Sequence, residues 1–313
     1  MRPQPSPPAR VSVIIVSYNT REQLRKCLGC IEPHHEVIVV DNASADGSVE
    51  MVTEEFPHVN LIASPTNLGF GGGNNLGLKA ATGKIALFLN SDAYAFPGAI
   101  DLLAETMEDS AVVGAGGKLL NVDGSLQNST AQKLTLWHVF GEQFFINTGY
   151  WTTPSLAATS AVKETPQVMG ACFMVKRLPT GDFLDFDERY FLYCEDTDYA
   201  KRLSTAGRIL YVPSAQFTHE LGASSRRSPW LGVIRYNAGK ELYFRLHHGW
   251  VWEFFCLLIN RLGALLRLTI WAIIGLVQPA KRGKVGLFWR VLTAPRGFAR
   301  PSPTPNQTPG RPE

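Results

Sequence analysis

Charge, cysteine and long uninterrupted hydrophobic runs are all scarce in this sequence of 313 residues. Charged residues make up 18% and the formal net charge is +3, which is too small to indicate nucleic-acid binding. Five cysteines lie at irregular spacings, with Cys27 and Cys30 as the one close pair. This pattern predicts neither a disulfide framework nor a two-pair cysteine zinc site, and it favours a reducing compartment. The first ten residues lead into proline rather than an apolar stretch with a cleavage site, so no export signal is expected.

Common phosphate and nucleophile motifs are absent as well. Gly77 and Gly83 precede a lysine, but the spacing between them is one residue longer than in a P-loop, and Ile85 replaces its Ser or Thr. The glycines of "NLGFGGGNNLG" do not fit the dinucleotide-binding spacing and follow the third predicted strand rather than the first. "GASSR" around Ser224 lacks the closing glycine of a nucleophile elbow. A P-loop NTPase, a Rossmann dehydrogenase and a serine hydrolase are therefore not supported.

The first third of the chain alternates short apolar runs with helical patterns. Strands are predicted at 11–16, 36–40, 59–63 and 85–89, and helices at 21–30, 48–56, 72–81 and 101–107. This alternation predicts right-handed βαβ units in an α/β fold, with a mostly parallel sheet covered by helices on both faces. Ligands of such sheets bind beyond the carboxyl ends of the strands. Tyr18, Asp41 and Asp92 follow three of these ends.

The middle of the chain is less regular. Periodicity fades between residues 121 and 167, which predicts a variable or partly mobile region. It returns with a strand in "VMGACFMVKR", a helix in "EDTDYAKRL" and a strand in "RILYVPSAQFTHE", where Pro213 marks an edge or a bend.

The last third is apolar but interrupted by polar residues. Residues 250–277 are rich in Leu, Ile, Trp and Phe, and they also contain Glu253, Asn260, Arg261 and Arg267. The longest stretch without charge, 268–280, is shorter than the roughly 20 residues that cross a bilayer, and residues 281–300 carry six basic side chains and no acidic one. We expect helices lying in the plane of an anionic membrane surface. The alternative is a buried core helix followed by a solvated tail.

The polar residues at the strand ends suit a nucleotide diphosphate. Asp41 can accept a hydrogen bond from the ring N–H of a pyrimidine, and backbone N–H groups around Gly69 can approach phosphate oxygens closely. Asp92 is a hard oxygen ligand for Mg²⁺ or Mn²⁺ bridging a diphosphate. The structural alternatives are a turn cap for Asp41 and tight turns for the glycines.

Three carboxylates lie close together in "FLYCEDTDYAKRL". In a helix Asp198 and Arg202 are neighbours at i and i+4, which predicts a structural ion pair. Glu195 and Asp196 have no such cation, and nearby aromatic rings would raise a carboxyl pKa towards that of a general base. The structural alternative for Asp196 is an N-cap.

Seven segments in order resemble the inverting GT-A glycosyltransferases of family 2, and especially their bacterial rhamnosyltransferase-like branch. They lie within residues 11–248 and read "VSVIIVSYNT", "VIVVDNASADGS", "NLGFGGGNNLGL", "ALFLNSDA", "MGACFMVKR", "FDERYFLYCEDTDYAKRL" and "FTHELGASS". The resemblance implies a GT-A fold. It makes Asp196 the base, with Glu195 as the alternative, and it makes Asp92 and His219 the metal ligands. His219 as a satisfied core histidine is the alternative, and Asn90 replaces the first acidic residue of the family's D-x-D motif.

By the same resemblance, Tyr18 and Asp41 would hold the nucleotide base. The full set of candidate substrate-binding residues is Ser17, Tyr18, Asn19, Asp41, Asn67, Gly69, Gly71, Asn90, Ser91, Asp92, Gly170 and Ala171. Arg226, Arg227 and Arg235 are further candidates for phosphate contacts, or else form a solvated basic face.

The implied function is transfer of a sugar from a nucleotide-sugar donor, with L-rhamnose from dTDP-L-rhamnose as the candidate, to a lipid-linked or polysaccharide acceptor. The implied location is the cytoplasmic face of a bacterial inner membrane, in cell-envelope polysaccharide synthesis. Two alternatives stay open: a non-catalytic nucleotide-sugar or glycan-binding module, and a soluble cytosolic enzyme. The predicted organisation is a disordered lead (1–10), a catalytic domain (11–248, divided at about 100 into nucleotide and acceptor halves), membrane-associating helices (249–300) and a disordered tail (301–313).

Overall fold

The computed structural model describes residues 11–152, 161–220 and 229–295. The predicted disordered lead and tail, and Arg226 and Arg227, lie outside these residues. The strands are β1 (Val11–Ser17), β2 (Glu36–Asp41), β3 (Asn60–Ala63), β4 (Ile85–Asn90), β5 (Ala93–Ala95), β6 (Val112–Leu120), β7 (Thr130–Ala131), β8 (Lys163–Glu164), β9 (Gln167–Val168), β10 (Cys172–Lys176) and β11 (Arg208–His219). The helices are α1 (Arg21–Leu28), α2 (Ser48–Glu55), α3 (Gly69–Ala80), α4 (Ala99–Thr106), α5 (Leu136–Gln143), α6 (Glu195–Leu203), α7 (Pro229–His248), α8 (Trp250–Val277) and α9 (Gly283–Thr293).

One large mixed sheet organises the domain. Its strand order is β3-β2-β1-β4-β10-β6-β11-β5, with β8 paired to β11. Strands β1 to β4 are mutually parallel, β10 runs antiparallel to both β4 and β6, and β11 is parallel to β6. The predicted mostly parallel sheet is confirmed, and the antiparallel β10 joins its two parallel parts.

Helices cover both faces of this sheet, as the alternation predicts. Along β1, Val13 and Ile15 pack in one core with side chains of α1, α2 and α4. Ile14, on the opposite face, packs in a second core with Leu78 of α3 and Tyr199 of α6. Because successive side chains of a strand point to opposite faces, a strand buried on both faces reads as the continuous apolar run seen here.

The predicted elements of the first third are confirmed within three residues, and α3 begins earlier than expected, at Gly69. Thr20 occupies the N-cap position of α1 but makes no capping hydrogen bond there. Pro213 lies where the register of β11 against β6 shifts between Val212 and Gln216, so the predicted bend is confirmed.

The region of faded periodicity contains a helix that the sequence pattern did not predict. Helix α5 is closed at its start by a capping box, in which Thr135 and His138 satisfy each other's backbone N–H groups. Histidine replaces the usual Glu or Gln at the third helical position. The signal was therefore easy to miss in an eight-residue helix.

The C-terminal helices pack together beside α5. Gly249, with φ at 95°, separates α7 from α8. Helix α8 has 28 residues and is the one helix of the described residues that is long and apolar enough to cross a membrane. Its inner face buries Cys256, Asn260 and Ala264.

Candidate active site

The carboxyl ends of three adjacent parallel strands form one edge of polar residues. Ser17 of β1 pairs in register with Asp41 of β2, and Val16 pairs with Asn90 of β4. Since neighbouring strands lie about 4.8 Å apart, Asp41 and Asn90 end two strands separated by about 10 Å. This separation leaves room along one edge for both a nucleoside and a phosphate group.

Asp41 is buried and only half satisfied. Its Oδ2 accepts the backbone N–H of Ser44 at 2.9 Å, which is the turn-capping role considered as an alternative. Its Oδ1 is buried and has no hydrogen-bond partner among the described residues. A buried acceptor without a partner is costly, and an incoming N–H donor would relieve that cost. Both roles predicted for Asp41 therefore have an oxygen available to them.

The first strand-end turn is held by hydroxyl groups. Ser17 and Thr20 hydroxyls lie 3.0 Å apart, and Thr20 lies 2.8 Å from the hydroxyl of Ser91 after β4. Asn19, with φ at 53°, accepts the backbone N–H of Ala45 through Oδ1 at 2.8 Å. Tyr18, in the same turn, is 41% exposed. The turn is thus rigidly joined to its neighbours while the Tyr18 ring faces solvent.

The glycine-rich entry to α3 is tightly packed. Gly69 has φ at +77°, and a Cβ there would lie 2.3 Å from the carbonyl oxygen of Phe191. Its N–H donates to Oδ1 of Asn67 at 2.9 Å, and a Cβ on Gly71 would lie 3.0 Å from that of Phe186. These glycines let α3 approach the 186–191 segment. Phosphate contact by this loop stays a prediction.

Asp92 and His219 face each other across the end of the site. Ala93 of β5 pairs in antiparallel register with His219 at the end of β11, which brings the preceding Asp92 beside the imidazole. Asp92 Oδ1 lies 3.3 Å from His219 Nε2, and both side chains are buried. Residues 127 positions apart in sequence are therefore joined by strand pairing.

A glutamine determines which imidazole nitrogen carries the proton. Gln127 Nε2 donates to the carbonyl of His219 at 3.1 Å and to Asn121 Oδ1 at 2.9 Å. Its Oε1 must then accept the Nδ1–H of His219, at 2.7 Å. A neutral His219 consequently presents an unprotonated Nε2 towards Asp92 and Asn90. Imidazoles that bind metals are commonly oriented by an outer partner in this way.

The spacing of this pair suits one divalent cation. Two ligand atoms about 2.1 Å from a cation and at right angles lie about 3.0 Å apart, close to the 3.3 Å observed. Asn90 Nδ2 lies 3.3 Å from the same His219 nitrogen and donates to it when the imidazole is neutral. As an amide, Asn90 adds no charge to the site. The donor set, one carboxylate and one imidazole, fits a divalent cation such as Mn²⁺ and would leave the remaining positions for water and phosphate.

Asp196 is connected to this edge through a short backbone segment. Its Oδ2 accepts the N–H of Gly170 at 3.0 Å, and the carbonyl of Ala171 accepts the N–H of Asn90 at 3.1 Å. Its Oδ1 accepts the N–H of Thr197 at 2.8 Å. Burial raises the pKa of Asp196 above the usual carboxyl value, while these N–H groups oppose the rise. The carboxylate is thus held in one orientation with each oxygen still able to accept a further proton.

Glu195 is more deeply buried than Asp196. It is 5% exposed, and its Oε2 has no hydrogen-bond partner among the described residues. Burial, together with the charge of Asp196, raises the pKa of Glu195 to about 8. A carboxyl with this pKa is mostly protonated at pH 7, so only a minor fraction of Glu195 is in the ionised form that a base requires.

Asp198 is structural, as its spacing predicts. Its Oδ2 lies 2.7 Å from Arg202 Nε, and its Oδ1 lies 2.8 Å from His247 Nε2 of α7. Helix α6 begins at Glu195 with Cys194 at the N-cap, so the alternative of Asp196 as an N-cap is wrong. The residue missed from sequence is His247, since nothing in "RLHHG" indicates a partner 49 positions away.

Comparison with known proteins identifies the family. The sequence model of Glycosyl transferase family 2 matches residues 12–163. The N-acetylglucosaminyl-diphospho-decaprenol L-rhamnosyltransferase of Mycobacterium tuberculosis is 30% identical over 263 residues, which cover 76% of this chain and 85% of the relative. The chain belongs to glycosyltransferase family 2. The rhamnosyltransferase WbbL of Escherichia coli is 26% identical and covers 67% of this chain and 83% of its own.

The fold of this glycosyltransferase is GT-A. A solved mannosyltransferase from Pyrobaculum calidifontis, in complex with GDP-Man and Mn²⁺, superimposes with a TM-score of 0.51 at 19% identity, covering 93% of this chain and 87% of that one. The relatives named above are themselves transferases. A non-catalytic binding module is therefore not favoured.

Two further residues concern this glycosyltransferase site: Gln127, which the sequence did not single out, and Arg235, which it did. Gln127 lies in the region of faded periodicity, in the polar segment that follows β6, and nothing in the local sequence distinguishes it from its polar neighbours. Arg235 of α7, considered as a phosphate contact, stacks its guanidinium 4.6 Å from the ring of Phe191. Its Nε is buried without a hydrogen-bond partner among the described residues, and burial lowers its pKa.

Proposed function

We propose that this protein transfers L-rhamnose from dTDP-L-rhamnose to a lipid-linked diphosphate acceptor with inversion at the anomeric carbon, using Asp196 as the base. The named relatives from M. tuberculosis and E. coli, which cover most of this chain, are both rhamnosyltransferases. The main observation behind the catalytic assignment is that the N–H of Gly170 donates to Asp196. The next residue, Ala171, accepts the backbone N–H of Asn90 at the end of β4. These contacts support a base and a metal pair on the same edge.

The proposed chemistry is a single displacement. Asp196 accepts the proton of the acceptor hydroxyl while that oxygen bonds to the anomeric carbon, and the bond from this carbon to the donor's diphosphate breaks. The two backbone N–H bonds orient the carboxylate, and its raised pKa makes it a better proton acceptor. Glu195, which is mostly protonated at pH 7, adds little negative charge next to it.

We assign the cation to Asp92 and His219. Mg²⁺ or Mn²⁺ bound there would neutralise the charge that develops on the departing diphosphate. The orientation of the His219 ring by Gln127, which turns Nε2 towards Asp92, and the 3.3 Å separation support the assignment. Mn²⁺ accompanies the nucleotide sugar in the mannosyltransferase of the same fold. With Asn90 contributing no charge, the affinity for the cation should be modest in the absence of donor.

The nucleoside would lie at the other end of this edge. Asp41 Oδ1 would accept the ring N–H of thymine, which satisfies a buried oxygen that has no hydrogen-bond partner in the described part of the chain. The exposed ring of Tyr18 would lie against the base. Arg235, whose Nε has no hydrogen-bond partner within the residues that the structure describes, would approach the donor phosphates from α7.

We further propose that α8 lies in the plane of the membrane at its cytoplasmic face. Three polar residues that interrupt this helix turn towards the protein: Arg261 donates to the carbonyl of Val291 at 2.8 Å, and Arg267 donates to that of Gln143 at 2.7 Å. Asn260 donates to Glu241 at 2.9 Å.

The opposite face of α8 is an apolar stripe. Its exposed members follow a repeat of four and three residues, and they are Val251, Phe255, Leu258, Leu262 and Leu265. Because the inner face packs on α5, α7 and α9, this helix lies along the domain surface, an arrangement that suits an interfacial helix better than a span. Lys284 lies 4.9 Å from the ring of Trp271, a pairing suited to anionic headgroups.

Donor and acceptor can be tested together with the purified full-length protein in detergent. Release of nucleoside diphosphate is measured for dTDP-, UDP- and GDP-sugars, with and without a polyprenyl-diphosphate-linked N-acetylglucosamine acceptor. We expect dTDP-L-rhamnose to give the highest kcat/KM, to require the acceptor, and to lose turnover in excess EDTA. Preference for another sugar would overturn the donor assignment, and donor binding without release under all conditions would overturn catalysis.

A further inference from the structure

Two consecutive histidines and a carboxylate meet far from the active site. His34 and His35 directly precede β2, and Asp101 lies in the first turn of α4. Asp101 Oδ1 lies 3.1 Å from His34 Nε2 and 3.6 Å from His35 Nε2. One ligand atom from each of the three residues lies within 4.8 Å of the other two.

Two buried atoms beside this cluster have no hydrogen-bond partner within the described part of the chain. They are His35 Nε2 and Glu32 Oε2, which lie 3.7 Å apart. His35 is 7% exposed, and the other oxygen of Glu32 accepts the N–H of Gly98 at 2.7 Å, so neither side chain is free to turn to water. A plain surface pair between His34 and Asp101 would leave both atoms unexplained.

We infer that His34, His35 and Asp101 bind a divalent transition-metal cation of the Zn²⁺ type, with Glu32 as the fourth donor. Ligands about 2.0–2.1 Å from a tetrahedral Zn²⁺ lie about 3.3–3.4 Å from one another. The observed separations of 3.1, 3.6 and 3.7 Å bracket that value. Two imidazoles with two carboxylates are also a donor set that favours Zn²⁺ over Mg²⁺.

This cation would be separate from the one in the active site. His35 precedes β2 and Asp41 ends it, so the six-residue strand places the two about 20 Å apart. The cluster connects the segment between α1 and β2 with the start of α4. A cation there would join these two segments and stabilise the folded domain, because the unfolded chain does not hold the ligands together.

The test uses the full-length protein without a histidine tag, in an Asp92→Asn background that removes the carboxylate of the catalytic pair. Zn²⁺ binding is measured by equilibrium dialysis, and the melting temperature is followed in parallel in excess Mg²⁺. His34→Gln and Asp101→Asn each remove one exposed or half-exposed ligand. His58→Gln, at another exposed histidine, is the matched control.

We expect the parent and His58→Gln to bind one Zn²⁺ with a matching rise in melting temperature. His34→Gln and Asp101→Asn should bind it at least tenfold more weakly, with no rise at the same concentration. With Co²⁺ in place of Zn²⁺, the parent and the His58→Gln control should show the visible absorption of a tetrahedral site. His34→Gln and Asp101→Asn should not show it. The inference is overturned if the parent binds Zn²⁺ only at millimolar concentration, or if His34→Gln and Asp101→Asn bind as tightly as the parent.

Discussion

The strand-end edge and the C-terminal helices differ in whether their polar groups have hydrogen-bond partners within the protein. At the strand ends, Asp41 Oδ1 has no hydrogen-bond partner among the described residues, and the Nε2 of His219 lies towards Asp92 while Gln127 holds its Nδ1. Along α8, Asn260, Arg261 and Arg267 all bond to neighbouring helices, and the other face is apolar. The first region is prepared for a polar ligand that completes its hydrogen bonds. The second is complete and leaves an apolar surface to be covered.

The strongest way to break this comparison is to remove the base. Asp196→Asn keeps an oxygen for one backbone N–H but cannot take a proton, so kcat should fall about 10³-fold, within the roughly 10²–10⁴ that general-base catalysis contributes. Donor affinity should change little, because the role proposed for Asp196 is at the acceptor hydroxyl. Initial rates of nucleoside diphosphate release and calorimetric donor binding measure the two effects.

Asp182→Asn, at an exposed carboxylate of the preceding segment, is the control and should retain wild-type rates. If Asp196→Asn keeps more than a tenth of the wild-type kcat, another group is the base.

Glu195 offers a second test, on stability. Its pKa in the folded protein, about 8, is raised above the ordinary 4.5, so its contribution to stability is fully present below pH 4.5 and is lost as the pH rises to 8. The loss corresponds to about 5 kcal/mol at most. Glu195→Gln cannot ionise and should be more stable relative to wild type at pH 8 than at pH 5, as measured by urea unfolding.

A stability difference between Glu195→Gln and wild type that is the same at both pH values would show that Glu195 is ionised in the folded protein. The same variant should keep its activity at pH 7 within a few-fold, because Gln resembles the protonated acid. A larger loss would point to Glu195 as the base.

Gln127 tests whether the open nitrogen of His219 depends on its partner. Gln127→Ala removes the acceptor that holds Nδ1–H, and the affinity for Mn²⁺ should fall about 10–100-fold, as is usual for outer partners of a metal-binding histidine. The cation concentration that gives half-maximal rate measures this. Addition of saturating Mn²⁺ should recover most of the kcat, which a general loss of structure would not allow.

Gln132→Ala, at an exposed glutamine, is the control for that experiment. Equal cation requirements in the two variants would remove Gln127 from its positioning role.

The smallest expected effect concerns the apolar stripe of α8. Leu258→Ser combined with Leu262→Ser removes two exposed leucines, each worth about 1.5–3 kcal/mol when fully buried. Partition of the protein into anionic phospholipid vesicles should weaken at least tenfold in a sedimentation assay. Leu126→Ser, at an exposed leucine outside the C-terminal helices, should bind like the wild type. Equal partition of all three proteins would contradict a membrane role for this face.

Local patterns predicted much of the first region and less of the second. Strands buried on both faces are continuous apolar runs, so β1, β2 and β4 and the polar residues that follow them could be recognised directly. Helix α5 could not, because it is short and its capping box uses histidine. The charges within residues 250–277 indicated that this segment is not a clean membrane span. The sequence could not show that these charges turn inward, because their partners lie on other helices.

The sequence by itself determined the class of fold, the polar ends of the parallel strands and the ion pair between Asp198 and Arg202, because each depends on residues close together in the chain. Only the tertiary structure decided that Asp92 meets His219, that Gln127 orients the imidazole, and that Glu195 is buried. Those contacts depend on strand pairing and helix packing between residues far apart in sequence. Local periodicity carries no information about which distant side chains such packing brings together.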